Sequence, residues 1–176
     1  IFEDISFYAR RGEIVGFAGL VGAGRTETMR AVFGLDPHES GVVKINGKEV
    51  SIKSTSDSIA NGLIMLSESR RDDGIVPVRS VRENASLANL GRYIYGGYTH
   101  KRKERQEVGE MFGKMNVKTP SMDTEISKLS GGNQQKVVLG KWLATKPDVL
   151  ILDEPTRGID VGAKYEIYQL IIDLAN

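Results

Sequence analysis

Apolar residues along this chain change period several times, and each change marks an element. Ile14-Val-Gly-Phe-Ala18 is a continuous apolar run that predicts a buried strand. Before it, Ile1 to Tyr8 alternates weakly and predicts an edge strand, with Arg10-Arg-Gly12 as the turn between the two. From Thr26 to Phe33 the apolar residues Met29, Val32 and Phe33 share one helical face, and Gly34 and Pro37 end it. Val42–Ile45 and Lys48–Ile52 flank Asn46-Gly47, a pair suited to a type I′ turn, so a hairpin is expected. Ser56 to Asn61 reads as a short helix closed by Gly62, and Leu63-Ile-Met-Leu66 as a central strand.

Glu68 to Gly74 is a charge-dense loop that opens a mainly helical stretch. In that stretch Val81–Leu90 is helical, Tyr93–Tyr98 is a loop around Gly96-Gly97, and the basic run Lys101–Arg105 is a solvated helix face. A further helix opens at Ser130 and carries Val138, Leu139, Trp142 and Leu143 as its apolar stripe. Val149-Leu-Ile-Leu152 is a continuous apolar run of the kind buried on both faces of a parallel sheet. Asp160 then caps a last helix whose Ile167, Leu170, Ile171 and Leu174 follow i, i+3, i+4, i+7 spacing. Strands alternating with helices predict an α/β fold. The expected organisation is one domain over 1–176, with 1–75 and 146–176 as its α/β core and 76–145 as a helical lobe.

Composition changes this picture little. With 176 residues, 40% apolar and 27% charged, the chain is an ordinary globular composition, long enough to bury about 70% of its unfolded surface. A net charge of +1 gives no global field that would draw it to nucleic acid or acidic lipid. Without cysteine, disulfides and thiolate metal sites are excluded, and a reducing cytoplasm is permitted. No apolar run approaches the ~20 residues of a membrane span and no signal-like segment opens the chain, so any membrane connection is expected to run through a partner. Because the chain starts at Ile1 and stops at Asn176 inside a helical pattern, it is expected to be a piece of a longer polypeptide.

Chemistry gathers at three places. Gly19-Leu-Val-Gly-Ala-Gly-Arg-Thr26 lies between the first apolar run and the first helix. Its spacing is that of a phosphate-binding loop, in which glycines free the backbone to wrap an anion and the helix dipole adds positive potential. Arg25 stands where that pattern has lysine, and Thr26 would offer a hydroxyl to Mg²⁺. A glycine-rich strand-to-helix turn is the plainer alternative. Asp153-Glu154 directly follows an apolar strand, where open α/β sheets bind ligands; one acid can hold Mg²⁺ while the other polarises a water. Ser130-Gly-Gly132 opens a helix, either as a simple cap or as a second anion site, and the two readings are compatible. Two such loops far apart in sequence suggest two chains sharing a nucleotide.

These residues carry a resemblance. Leu129-Ser-Gly-Gly-Asn-Gln-Gln135 resembles the signature sequence of ATP-binding cassette (ABC) ATPases. Val149-Leu-Ile-Leu-Asp-Glu-Pro-Thr156 is similar to their Walker B strand, and Arg157-Gly-Ile-Asp160 matches their D-loop. The likeness covers nearly the whole chain. Asn133-Gln-Gln-Lys136, Pro155–Lys164 and Asn116–Ser121 resemble the bacterial monosaccharide importers for ribose, galactose or xylose, where one polypeptide carries two cassettes. Gly22-Ala-Gly-Arg-Thr26 with Ser67-Glu-Ser-Arg-Arg71 is similar to the second, degenerate cassette.

The resemblance implies a P-loop NTPase fold with a mainly parallel central sheet, an antiparallel hairpin region and an inserted helical lobe. It implies ATP and Mg²⁺ as ligands. Gly19, Leu20, Val21, Gly22, Ala23, Gly24, Arg25, Thr26 and Glu27 would hold one ATP, Thr26, Asp153 and Glu68 its Mg²⁺, and Glu154 would be the catalytic residue. Ser130, Gly131, Gly132, Asn133 and Gln134 would complete the ATP site of a second cassette packed head to tail, with Asp160 in the D-loop. Other implied partners are membrane-spanning permease subunits and, indirectly, a periplasmic or lipid-anchored sugar-binding protein, but not nucleic acid. The domain would sit at the cytoplasmic face of the membrane, with the loop from Glu68 and the helical lobe facing the permease. The adenine-stacking aromatic would precede Ile1 and the switch histidine would follow Asn176.

Two departures bear on activity. Arg25 is a planar fork where the family has a compact ammonium, and Glu68 stands where it usually has glutamine, adding negative charge near the phosphates. Three functions follow: an ATPase domain of a sugar importer, a nucleotide clamp that serves chiefly its partner's site, or a soluble ABC ATPase of DNA repair or translation. Neutral charge and the lack of interleaved aromatic and basic residues argue against the third.

Overall fold

The fold is built around two strands in a computed structural model that describes residues 3–176. β3 (Leu63–Leu66) pairs in parallel with β6 (Val149–Leu152), Leu63 opposite Val149 and Leu66 opposite Leu152. The period-2 alternation of a strand divides the core into two layers. Leu63 and Met65, with Ile151 beside them, pack on Phe33 and Ile45. Leu66, with Leu150 and Leu152, packs on Val81, Phe112, Val137 and Val138.

On the first side lie α1 (Arg25–Val32), the hairpin β1 (Val43–Ile45) with β2 (Lys48–Val50), and α2 (Thr55–Ala60). The hairpin forms as expected, since Asn46 and Gly47 take φ of 51° and 76° and so make the turn that matches strand twist. On the second side lie α3 (Val81–Ser86), α4 (Lys101–Lys114) and α5 (Gly131–Leu143), followed after β6 by α6 (Val161–Ala175). α3 begins in a capping box, in which Ser80 accepts from Glu83 N while the Glu83 carboxylate accepts from Ser80 N.

Several expectations are corrected. Residues 14–18 form no strand: Ile14 and Phe17 are 57% and 42% exposed. An apolar run becomes a buried strand only where another strand takes its backbone hydrogen bonds, and among the described residues none does. Residues 3–8 are likewise irregular, held by an edge-on Phe7–Phe17 contact at 4.8 Å; Ile1 and Phe2 lie outside the described residues. β6 is only half-buried, and Val149 is exposed, because β3 covers one edge of it and no further strand covers the other among the described residues.

Between Arg70 and Gly74 the expected loop winds into a wide π-helical turn. Tyr93–Tyr98, expected as a loop, contributes to a short antiparallel hairpin of β4 (Ile94–Tyr95) and β5 (Tyr98–Thr99), turned by Gly96 and Gly97 at positive φ. The basic run 101–105 is not wholly solvated. Glu104 is 2% exposed and accepts from Arg82 Nη1 at 2.5 Å and Ser86 Oγ at 2.6 Å, because this turn of α4 packs on α3. In α6, Ile167 is fully buried while Leu174, at the far end of the predicted stripe, is 47% exposed.

Candidate nucleotide site

Local backbone chemistry shapes the glycine-rich loop. Gly22 and Gly24 take φ of 81° and 78°, values that an L side chain strains to reach, and Gly24 caps α1 with no side chain of its own. Ala23 N donates to Leu20 O, and Thr28 N is the first in the helix to find a carbonyl, that of Gly24. The N–H groups of Arg25, Thr26 and Glu27 are therefore the unsatisfied donors of the helix start, turned toward whatever lies before it. Leu20 and Val21 are 86% and 100% exposed, so the loop crest stands in solvent. The Arg25 stem lies back along the loop, its Cδ 3.6 Å from the point a Cβ on Gly19 would occupy.

The acid pair follows β6 without a gap. Asp153 N donates to Leu66 O at 2.9 Å, so the parallel ladder fixes the backbone that carries this carboxylate. Asp153 Oδ2 is buried and has no hydrogen-bond partner among the described residues. A buried carboxylate oxygen left free is costly unless a cation or donor meets it. It is a hard oxygen donor of the kind that suits Mg²⁺, an ion that takes one or two protein oxygens and completes its shell with phosphate and water. Among the described residues no cluster of three acidic or imidazole ligands exists, so the chain alone offers no full cage. Glu154, next in sequence, has φ 46°, a left-handed conformation rare outside glycine, in a turn closed by Arg157 N donating to Glu154 O.

Glu68 is not the uncompensated charge the sequence suggested, because its carboxylate forms an ion pair with Arg157. Nothing in the linear pattern announces this partner: the two residues meet only because β3 and β6 are paired, which brings the ends of both strands side by side.

A second constellation joins the starts of α5 and α6. Ser130 caps α5, its hydroxyl accepting from Asn133 N at 3.4 Å and Asn133 Nδ2 at 2.9 Å. Asp160 caps α6 through Ala163 N at 2.9 Å. The helices abut so closely that a Cβ on Gly132 would overlap the Ala163 methyl. Between them lies a cavity of about 210 Å³ lined by Ser130, Asn133, Asp160, Lys118, Lys136 and Glu166 among others. Asn133 Oδ1 accepts from Lys118 N at 2.7 Å, tying the preceding loop to the cap. Buried Lys136 donates to Asn116 O and pairs with Glu166 at 2.5 Å, which holds the Glu166 carboxyl below its ordinary range.

Gln134 departs from the expected nucleotide contact. Its side chain is 7% exposed, donates to Ile126 O and Leu129 O, and accepts from Arg70 Nε, so its amide braces the turn from inside. The structure thus brings Ser130, Gly132, Asn133 and Asp160 to one cavity, and the glycine loop with Thr26 to the start of α1. Arg70, Lys118 and Arg157 lie within stretches that carry the family resemblance, but the sequence reading gave none of them a contact of its own, since basic residues in polar loops carry no local signal of their partners. A separate groove of about 360 Å³ runs between α1, α2, β3 and α5, lined by Arg30, Phe33, Ile59, Arg70, Asp73 and Trp142 among others.

Comparison with known proteins agrees with this geometry. The chain is 51% identical over 176 residues to the ribose import ATP-binding protein RbsA of Bacillus licheniformis, covering all of this chain and 36% of that protein. It is 51% identical over 175 residues to the galactose/methyl galactoside import ATP-binding protein MglA of Clostridium tetani, covering 99% of this chain and 35% of the relative. The chain therefore spans about a third of the length of these relatives. The dimeric ATP-binding cassette MJ0796, solved with ADP and Pi, superposes with a TM-score of 0.76 at 21% identity, over 97% of this chain and 72% of that one, which establishes the fold. The sequence profile described as ABC transporter matches residues 2–157, taking in the glycine loop, the capped turn at Ser130 and the Asp153-Glu154 pair, and so this chain belongs to the ABC transporter family.

Proposed function

We propose that this chain is an ATP-binding domain of a bacterial monosaccharide importer, the second cassette of a two-cassette polypeptide, coupling ATP binding and hydrolysis to uptake. Relatives named for ribose and galactose import at 51% identity support the substrate class. The observation that carries the site is the buried, unpartnered Asp153 Oδ2 at the end of β6 in a chain that also opens α1 with free N–H groups. Gly19–Glu27 hold the phosphates through backbone N–H, with the Arg25 guanidinium as a further donor. Asp153 and the Thr26 hydroxyl hold Mg²⁺, which neutralises phosphate charge when bound. Glu68, held in its ion pair with Arg157, would stay off that cation. Glu154 accepts the proton of a water in line with the γ-phosphate.

Ser130, Gly131, Gly132 and Asn133 close the nucleotide of a second cassette arranged head to tail, Ser130 donating its O–H while Asn133 occupies its lone pairs, with Asp160 alongside. Residues 76–145 form the helical lobe against a core of 1–75 and 146–176. The charged loop from Glu68 and the helical lobe face the permease subunits, through which the domain is held at the cytoplasmic face of the membrane and, indirectly, serves a sugar-binding protein. Among the described residues no helix is long and apolar enough to cross a membrane.

A second reading, a nucleotide clamp that completes its partner's site without turning over its own, is favoured by Arg25 in place of lysine. Single-turnover hydrolysis by the two-cassette protein with Glu154→Gln in this half separates the two. A fall of roughly a hundredfold, the scale of a lost positioned base, supports the working ATPase; unchanged turnover supports the clamp.

A further inference from the structure

The turn Arg70–Gly74 follows Glu68 and lies along α5, fastened at both ends. At its start Arg70 Nε donates to Gln134 Oε1 at 3.1 Å, and the Arg70 Nη2 lies 3.2 Å from where a Cβ on Gly131 would stand. At its end Lys141 Nζ donates to Gly74 O at 2.8 Å. Gln134 and Lys141 are seven residues apart, two turns, and so share one face of the helix. Gln134 in turn grips Leu129 O and Ile126 O, the backbone that presents Ser130. Two residues before Arg70, Glu68 pairs with Arg157 in the turn that follows Glu154. Arg70 is half-buried and pairs with no carboxylate among the described residues, so its hydrogen bond to Gln134 is the contact that orients it.

We propose that Arg70 and Gln134 are positioning residues, a strut by which the segment Glu68–Gly74 sets the placement of Ser130 and Gly131 for the second cassette's nucleotide. Neither touches nucleotide. The strut links this domain's own acid turn, through Glu68 and Arg157, to the turn it lends its partner. It rests on the reading of Ser130–Asn133 as the partner-site turn.

The test uses the intact transporter carrying Arg70→Ala, Arg70→Lys, Gln134→Ala or both alanine changes. Its readouts are single-turnover hydrolysis at the partner cassette, ATP affinity of the Gly19–Thr26 loop, and ATP-dependent cross-linking of Ser130→Cys to the partner's phosphate loop. Each alanine variant is expected to lower partner-site hydrolysis and cross-linking at least tenfold while leaving affinity at its own loop within twofold. The double variant should be no worse than Gln134→Ala alone, which breaks the Arg70 link together with the bonds to Ile126 O and Leu129 O. Arg70→Lys should stay defective, because lysine keeps the charge and loses the Nε donor; it also carries the test if Arg70→Ala does not fold. Wild-type behaviour of Arg70→Lys and Arg70→Ala, or additive defects in the double variant, overturns the strut alone. A wild-type transporter whose cross-link is insensitive to ATP overturns the partner-site reading beneath it.

Discussion

Gly132→Ala tests how tightly the two helix starts are locked. The added methyl would overlap Ala163 Cβ, while Asp160 Oδ2 stands 3.9 Å away. Nothing in the backbone resists the change, since Gly132 is helical and not at positive φ; alanine gains up to about 1 kcal/mol of helix propensity. Against this stands the steric cost of overfilling a packed contact, about 1–3 kcal/mol, because α6 must move before the methyl fits. The net is a destabilisation of about 1–2 kcal/mol, or roughly 3–6 °C in Tm for a chain of this size. Ala163→Gly removes the opposing methyl, so the double variant should recover most of the steric loss. Thermal melts of the wild type, both singles and the double close the cycle, with an expected coupling of about 1–2 kcal/mol. Additive losses would mean that the helix starts do not press on each other at this point, and the packing argument would fail.

Three further outcomes follow from individual contacts. Glu104→Ala leaves Arg82, only 15% exposed, with the more distant Asp123 at 3.6 Å, and should cost about 3 kcal/mol of stability in urea unfolding; a loss under 1 kcal/mol would rule out a buried pair. Burial pushes the Lys141 ammonium down from 10.5 to about 8, so the folded state holds this proton less tightly than the unfolded one. That penalty, about 3 kcal/mol below pH 8, fades as pH rises toward 10.5. The stability of wild type relative to Lys141→Met should therefore climb across that window, and a flat difference would show that the ammonium is not desolvated. Arg157→Ala should change stability by less than about 1 kcal/mol, since the pair is part-exposed, yet weaken Mg·ATP binding roughly fivefold by freeing the Glu68 charge; Glu68→Gln in the same chain should restore it, and failure to do so refutes the compensation.

What the sequence by itself determined is whatever a few neighbouring residues decide. Asn46-Gly47 forces a tight turn through backbone conformation alone, Ser130 and Asp160 cap the helices that follow them, and Leu63–Leu66 is an unbroken apolar run that reads as a strand. The glycine loop and the acid pair stand out for the same reason, since each is a motif of consecutive residues within the family match. What only the tertiary structure decided depends on a partner remote in the chain. Ile14–Ala18 is also a continuous run without polar side chains, yet among the described residues it lacks a ladder and stays exposed, while β3 is buried because β6 pairs with it. Glu104 looked like helix surface until Arg82 and Ser86 came to meet it. Glu68 gained Arg157, and Gln134 turned inward to Arg70, because parallel pairing and helix packing brought together groups that sequence distance keeps apart. Charge and hydrogen bonding depend on separation in space, which local patterns do not encode.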